Sequence, residues 1–160
     1  MATTIFLKPT AVSQSTGASE ITWNLDAAPY NVDTSSCSST ALTSYNGKLT
    51  GLLIYSGWDT STALGTLNGI EVKVYSSKKS RIVDSTIQLA QAGTVIGTNK
   101  AVSTSGNIHT YGNSTNKWGQ SSLAISDLST LQVALKYGSG AQPHTDTVYV
   151  YSVQLKVHYT

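Results

Sequence analysis

The side chains that could carry out acid–base chemistry are few and well separated in this sequence. Its eight carboxylic acids never lie within five residues of one another; they are Glu20, Asp26, Asp33, Asp59, Glu71, Asp84, Asp127 and Asp146. A glycosidase needs two carboxyl groups facing a sugar, and distant acids can still meet in a fold. Half of these acids, however, stand beside turn residues, where a carboxylate commonly caps the backbone. The acids therefore do not predict a hydrolytic site.

The histidines and the cysteine show no spacing typical of a metal or nucleophile site. His109, His144 and His158 lack the short spacing that places two ring nitrogens on one metal ion. No Gly-x-Ser-x-Gly elbow presents a serine, and Cys37 is single, so no intrachain disulfide can form. We expect no catalytic residue, no metal and no cofactor. His158 is predicted to be exposed on a strand and Cys37 to lie in a loop.

Charge and hydropathy argue against two classes of partner. The net charge is +2 and only 11% of the residues are charged, too few for the basic surface that binds nucleic acid. Lys78, Lys79 and Arg81 stand among serines and predict a solvated turn. No run approaches the roughly 20 apolar residues of a membrane span, and MATTIFLKPT lacks the basic start of a signal peptide. We therefore expect that the protein binds neither nucleic acid nor a membrane. We also expect it to be synthesised in a cytoplasm.

The pattern of side chains predicts strands. Ser and Thr make up 45 of the 160 residues, and their hydroxyls compete with helical hydrogen bonds. Apolar residues occupy every odd position from Tyr149 to Tyr159, which predicts one long strand with a single buried face. Val148 and Val150 interrupt the alternation at its start, which is consistent with both faces being covered there. The other predicted strands are 70–75, 131–137, a hairpin of 85–91 and 94–101 around Ala92-Gly93, and weaker strands at 3–7, 20–25 and 49–55. The fold class is therefore all-β, an antiparallel, jelly-roll-like β-sandwich of about eight strands.

Two regions outside these strands are candidates for interaction. Residues 20–160 form a single predicted sandwich domain, with a long loop at 31–44, whereas residues 1–19 are either its first strand with a loop or an arm that reaches a partner. The arm's candidate contact residues are Thr3, Ile5, Phe6, Leu7, Lys8 and Pro9. Trp58 and Trp118 lie at predicted loops or strand ends, where each indole either plugs the sandwich or offers a platform to a sugar or protein. Trp23 is predicted to be core.

Four stretches carry a resemblance to a known family. They are GIEVKVYSS at 69–77, DSTIQLAQAGTVIGTNKAVS at 84–103, NKWGQSSLAISDL at 116–128 and TVYVYSVQLKVHYT at 147–160. From residue 51 onward the chain resembles the jelly-roll modules of tailed-phage virion proteins, which include head decoration (cement) proteins and tail-associated proteins. The likeness covers roughly two thirds of the chain and includes no catalytic signature.

The resemblance implies a structural role at the virion surface. The size of the chain is similar to that of a stand-alone decoration protein, which would bind the phage major capsid protein on the outer face of the head and stabilise it, as a homotrimer. The alternative is a carbohydrate-binding jelly roll or tail receptor-binding protein, which would use Trp58, Trp118 and polar loop residues to bind a glycan. Both hypotheses describe a protein without enzyme activity.

Overall fold

The prediction of an all-β sandwich is confirmed. A computed structural model describes residues 2–3, 6–25, 37–39, 42–43, 48–79, 81–102, 108–139 and 145–160. In these ranges the strands form two large antiparallel sheets and one small one. The only helical element among them is a short 3₁₀ helix, Ile125–Thr130.

The larger sheet, here sheet 1, has six strands. Its strands are β1 Ala2–Thr3, β3 Trp23–Asn24, β4 Cys37–Ser39, β7 Leu67–Ser77, β10 Ile108–Asn113 and β13 Tyr149–Tyr159. Their order is β10-β7-β13-β4-β3, and β1 also pairs with β13. The long terminal strand is thus central: β7 lies along one side of it, while β4 and β1 pair with its two ends on the other.

The second sheet, sheet 2, packs against sheet 1 to enclose the core. Its strands are β2 Ala11–Ser15, β6 Leu52–Ser56, β8 Ile82–Gln91, β9 Thr94–Ile96 and β11 Leu131–Ser139. Their order in the sheet is β2-β6-β11-β8-β9. A separate small sheet pairs β5 Leu42–Thr43 with β12 Thr145–Asp146. Alternate residues of β7 and β11 are buried, because successive side chains of a strand point to opposite faces. One apolar cluster includes side chains from both sheets.

The hairpin between β8 and β9 is confirmed, with a turn that explains its sequence. Ala92 has φ 47° and Gly93 has φ 77°, and two consecutive positive φ angles match the twist of a two-residue hairpin. Glycine adopts this conformation without strain, whereas alanine does so only with some strain. The second strand is shorter than predicted and ends at Ile96.

The terminal strand departs from the predicted alternation at its start. The pairing of β13 with β7 shifts register between Val150 and Ser152, so Tyr151 is an extra residue of a β-bulge. As a result Val150 is buried beside Val153, whereas Tyr149 is exposed. The prediction that Tyr149 and Tyr151 share the buried face of Val153 is therefore wrong. A bulge reverses the faces of the residues before it, and Val148 and Val150, which interrupt the alternation in the sequence, are the residues that it turns inward.

Several further predictions need correction. His158 is only 6% exposed, and its Nε2 lies 2.7 Å from Glu71 Oε1, so it is not an exposed strand histidine. Lys78 does not sit in a solvated turn, because its side chain is 3% exposed and paired with Asp84. Cys37 lies in β4 instead of a loop. Strands β2 and β10 were not predicted at all.

Candidate interaction surface

The two loop tryptophans are core residues. Trp58 is 5% exposed and Trp118 is fully buried. The Trp58 Nε1 donates to the Leu131 carbonyl at 3.0 Å, and the Trp118 Nε1 donates to the Ile70 carbonyl at 3.0 Å. Each indole thus fills space between the sheets and satisfies its one polar group there. Neither ring presents a face on which a sugar or a partner could stack.

The N-terminal segment lies along the chain's own terminal strand. Thr3 pairs with His158, and Leu7 exchanges two main-chain hydrogen bonds with Leu155, at 2.7 and 3.0 Å. Lys8 is exposed and Pro9 is buried; Ile5 lies outside the described residues. Strand β2 then continues the chain into sheet 2, where it pairs with β6. The main-chain hydrogen bonds of Leu7 are thus made with the chain's own terminal strand and not with a partner.

Phe6 is the centre of a small cationic cluster on the outer face of sheet 1. The Nζ atoms of Lys73 and Lys156 lie 5.4 and 5.3 Å from the centre of its ring, within the range of a cation–π contact. Neither ammonium forms an ion pair with a carboxylate of the described chain. The cluster therefore leaves two positive charges on this face.

A group of aromatic and aliphatic side chains lies next to this cluster, and we call it the tyrosine patch. It consists of Tyr75, Ile108, Tyr149 and Tyr151. Ile108 is 57% exposed and Tyr149 is 39% exposed, which makes them two of the most exposed large apolar residues of the described chain. The Tyr75 and Tyr151 rings are 4.9 Å apart, and the Tyr149 and Tyr151 rings are 6.2 Å apart and nearly parallel.

Three strands bring the patch together. Ile108 of β10 is directly opposite Tyr75 of β7, and cross-strand partners share a face of the sheet. The bulge at Tyr151 turns Tyr149 and Tyr151 to the same face of β13. A hollow of about 280 Å³ lies beside the patch and is lined by Lys73, Tyr75, Ile108, Ser152 and Gln154. The surface thus combines aromatic rings, an aliphatic side chain, an amide and a cation on a rigid sheet.

The buried ionisable groups bridge the two sheets and do not face solvent. Lys78 follows β7, and Asp84 lies in β8, with side-chain exposures of 3% and 2%. The Tyr111 hydroxyl donates to Asp84 Oδ2 at 3.2 Å, and the Lys78 Nζ lies 5.6 Å from the Tyr137 ring. Burial, reinforced by the charge of Asp84, raises the pKa of Tyr137 far above its ordinary value. Such a network links the two sheets in the interior of the sandwich.

The more accessible acids with perturbed pKa values are engaged in local bonds. Burial works to raise the pKa of Glu20, but the Gly17 N–H and the Lys136 ammonium outweigh it, so that pKa falls below its ordinary value. The Ser61 hydroxyl and N–H lower the pKa of Asp59. Asp26, Asp33 and His144 lie outside the described residues. No cluster of three metal-binding side chains occurs in the ranges that the structure covers.

Comparisons with known proteins add no assignment. No family model matches the chain, and no curated protein matches it. In the part of the chain with described coordinates, no helix has the length and apolar character needed to span a membrane. Among the surfaces described above, the tyrosine patch is the principal candidate for function. The sequence predictions did not identify it. Its signal was the cluster of tyrosines near the start of the terminal strand.

Proposed function

We propose that this chain is a non-enzymatic structural protein of a tailed-phage virion. It would act as a decoration (cement) protein that binds the major capsid protein on the outer surface of the head and stabilises the shell. The sequence resemblance suggests this class of protein. The single observation that supports a docking role is the tyrosine patch, an exposed group of large side chains on an otherwise hydroxyl-rich surface.

The composition of the patch suits a protein partner. Aromatic residues are enriched in protein interfaces, where tyrosine buries a large area at a low entropic cost. The three tyrosines already contact one another, so little side-chain freedom remains to be lost on docking. The sheet beneath them is held by the sandwich core. A rigid, preorganised face of this kind can clamp neighbouring capsid subunits without any chemical step.

The charges beside the patch indicate the character of the partner surface. Lys73 and Lys156 converge on Phe6 next to the patch, and the only described acid near them, Glu71, is paired with His158. A complementary capsid surface would have an apolar centre with carboxylates at its rim. Such rim charges would increase the rate of docking and make it sensitive to salt.

Removing the patch tests the proposal. We expect the Ile108→Ser/Tyr149→Ser variant to bind heads at least about tenfold more weakly, because truncating two interface anchors commonly costs more than about 1 kcal/mol each. The particles are heads of the phage that encodes the chain, assembled without it. Occupancy is measured after gradient purification by quantitative gel analysis, and by cryo-electron microscopy of saturated particles.

A matched control separates docking from the general effect of removing exposed apolar groups. Leu64 is 71% exposed and Val95 is 38% exposed, similar to the pair in the patch, and neither residue belongs to it. The Leu64→Ser/Val95→Ser variant should occupy heads as the wild type does. A wild-type chain that does not bind heads would refute the proposed function. Full occupancy by the Ile108→Ser/Tyr149→Ser variant would refute the assignment of the docking face.

A further inference from the structure

A polar hollow lies at the opposite end of sheet 1 from the tyrosine patch. Its volume is about 570 Å³, within the roughly 300–1,000 Å³ of pockets that bind small ligands. On β7, Asn68 precedes Tyr75 by seven residues, which at about 3.3 Å per residue separates them by roughly 23 Å. We call it the amide hollow; its principal lining residues are Asn68, Asn113, Asn116, Lys117, Gln120 and Ser121.

Two amide side chains of the hollow are held in fixed orientations. The Asn113 Oδ1 accepts hydrogen bonds from the Thr115 N–H at 3.0 Å and the Thr115 hydroxyl at 3.1 Å. The Asn116 Oδ1 accepts one from the Trp118 N–H at 2.6 Å. In both residues the oxygen is engaged, while no described residue accepts from the Nδ2 group. These NH₂ groups are oriented donors, and orientation before binding reduces the entropy lost on binding.

The rim of the hollow is anchored to the core through Trp118. This residue has φ 57°, a left-handed conformation that a bulky side chain adopts only under strain. Its indole is buried and donates to the Ile70 carbonyl at 3.0 Å, and its own carbonyl accepts from the Thr98 N–H at 2.6 Å. The turn therefore directs the indole inwards while its neighbours Lys117 and Gly119 line the hollow. The buried indole and the two hydrogen bonds hold the backbone at Trp118 in this conformation, and with it the polar rim of the hollow.

The lining determines the kind of ligand that fits. Amides and hydroxyls predominate, Lys117 is the one charged residue of the lining, and its Nζ already donates to the Leu123 carbonyl at 3.2 Å. A multiply charged anion such as a phosphate is usually bound by several cations or an arginine fork, which this lining does not supply. Neutral amides that both donate and accept match the hydroxyl groups of a sugar.

We propose that the amide hollow binds a neutral saccharide. This inference goes beyond the proposed docking function and does not depend on it. The hollow lies roughly 23 Å from the tyrosine patch along β7. If the patch docks on a capsid shell, the hollow is therefore left outside the docking face. A particle that carries the chain would then present saccharide sites at its surface. The alternative hypothesis from sequence placed a glycan on Trp58 and Trp118, whereas the saccharide proposed here is bound by polar side chains around the buried Trp118.

Glycan binding by the free, full-length chain tests the inference. The probes are neutral oligosaccharides of hexoses and N-acetylhexosamines, with uronic acid-containing oligosaccharides for comparison, first on an array and then in NMR titrations. We expect the chain to bind a neutral oligosaccharide in preference to the acidic ones. The Gln120→Ala/Ser121→Ala variant should bind at least about tenfold more weakly, because it removes two hydrogen-bonding side chains. Its melting temperature should change little, since Ser121 is exposed and Gln120 is only half-buried.

Two further variants distinguish the hollow from other surfaces. Ser77→Ala/Gln154→Ala removes a hydroxyl and an amide near the tyrosine patch and should leave saccharide binding unchanged. Ser121→Tyr fills the hollow with a larger side chain and should abolish binding. The inference is overturned if the wild type binds no neutral oligosaccharide at millimolar concentration, if it prefers the acidic ones, or if the hollow variants bind as the wild type does. No heads are present, so the result is independent of docking.

Discussion

Lys78 and Asp84 carry opposite charges inside the sandwich, where each depends on the other. Their side chains are 3% and 2% exposed, and removing one partner leaves the other charge buried and unpaired. We expect Lys78→Met to lower the free energy of unfolding by about 3–5 kcal/mol. The double variant Lys78→Met/Asp84→Asn should recover part of this loss, because the buried carboxylate is then gone. Urea denaturation monitored by tryptophan fluorescence measures both changes.

The neighbouring lysine provides the control. Lys79 is exposed, so Lys79→Met should change the free energy of unfolding by no more than about 0.5 kcal/mol. Equal effects at the two positions would contradict the buried ion pair. The sequence predicted the same solvated turn for both lysines. Their difference arises because Lys78 pairs with Asp84 in the interior of the sandwich. Asp84 stands only six residues away in the sequence, but its burial depends on the packing of the two sheets, which the local sequence does not show.

The local sequence likewise does not show which of the tryptophans are buried. The burial of Trp23 followed from its place in a predicted strand, but Trp58 and Trp118 stand between polar and glycine residues that suggest a loop. Both rings are buried in the core between the sheets, where the distant carbonyls of Leu131 and Ile70 accept from their indoles. Residue type and position predicted that each of these tryptophans either plugs the sandwich or binds a partner. They did not predict which way each ring faces.

The N-terminal segment is the element whose role is most directly testable. Deletion of residues 2–10 removes the two main-chain hydrogen bonds between Leu7 and Leu155 and the buried Pro9. Such bonds contribute about 0.5–1.5 kcal/mol each, and in a chain of this size 1 kcal/mol corresponds to roughly 2–4 °C. We therefore expect the melting temperature to fall by at least about 3 °C, as measured by circular dichroism.

An exposed residue of the same segment serves as its control. Lys8→Ala should melt as the wild type does, since Lys8 is exposed. If the deletion leaves the melting temperature unchanged but abolishes binding to heads, the segment is an arm that docks on a partner. That outcome would contradict the internal pairing with β13 as a source of stability.

Strand prediction succeeded where alternation is long and failed where the pairing is irregular. β7, β8, β11 and most of β13 followed from their period of two. β10 was missed because Gly112-Asn113 resembles a turn, although Gly112 lies within the strand with φ 83°. The bulge at Tyr151 depends on the register with β7, which sequence alone does not determine. The tyrosine patch requires both features, so it could not be predicted.

Self-association is an expectation at the scale of the whole molecule. The sequence suggested a homotrimer because the terminal strand is long and apolar, but that strand lies in the centre of sheet 1. A trimer would therefore form through other surfaces, such as β10 at the end of sheet 1. We expect light scattering at micromolar concentration to give the mass of three chains, the homotrimer that the sequence resemblance implies, closed by a threefold symmetry. A monomer mass, both in solution and on heads, would contradict this expectation.

The central position of β13 has a consequence for how the chain folds during synthesis. Sheet 1 places residues 149–159 between strands contributed by residues 2–3, 37–39 and 67–77. Until residues 149–159 have left the ribosome, β1, β4 and β7 have no common neighbour to pair with. Most contacts then join distant parts of the sequence, and such topologies fold in roughly milliseconds to seconds. Sheet 2 and the pairing of β7 with β10 use only residues that precede 149, so sheet 2 can assemble first, whereas sheet 1 is completed only after β13 has been synthesised.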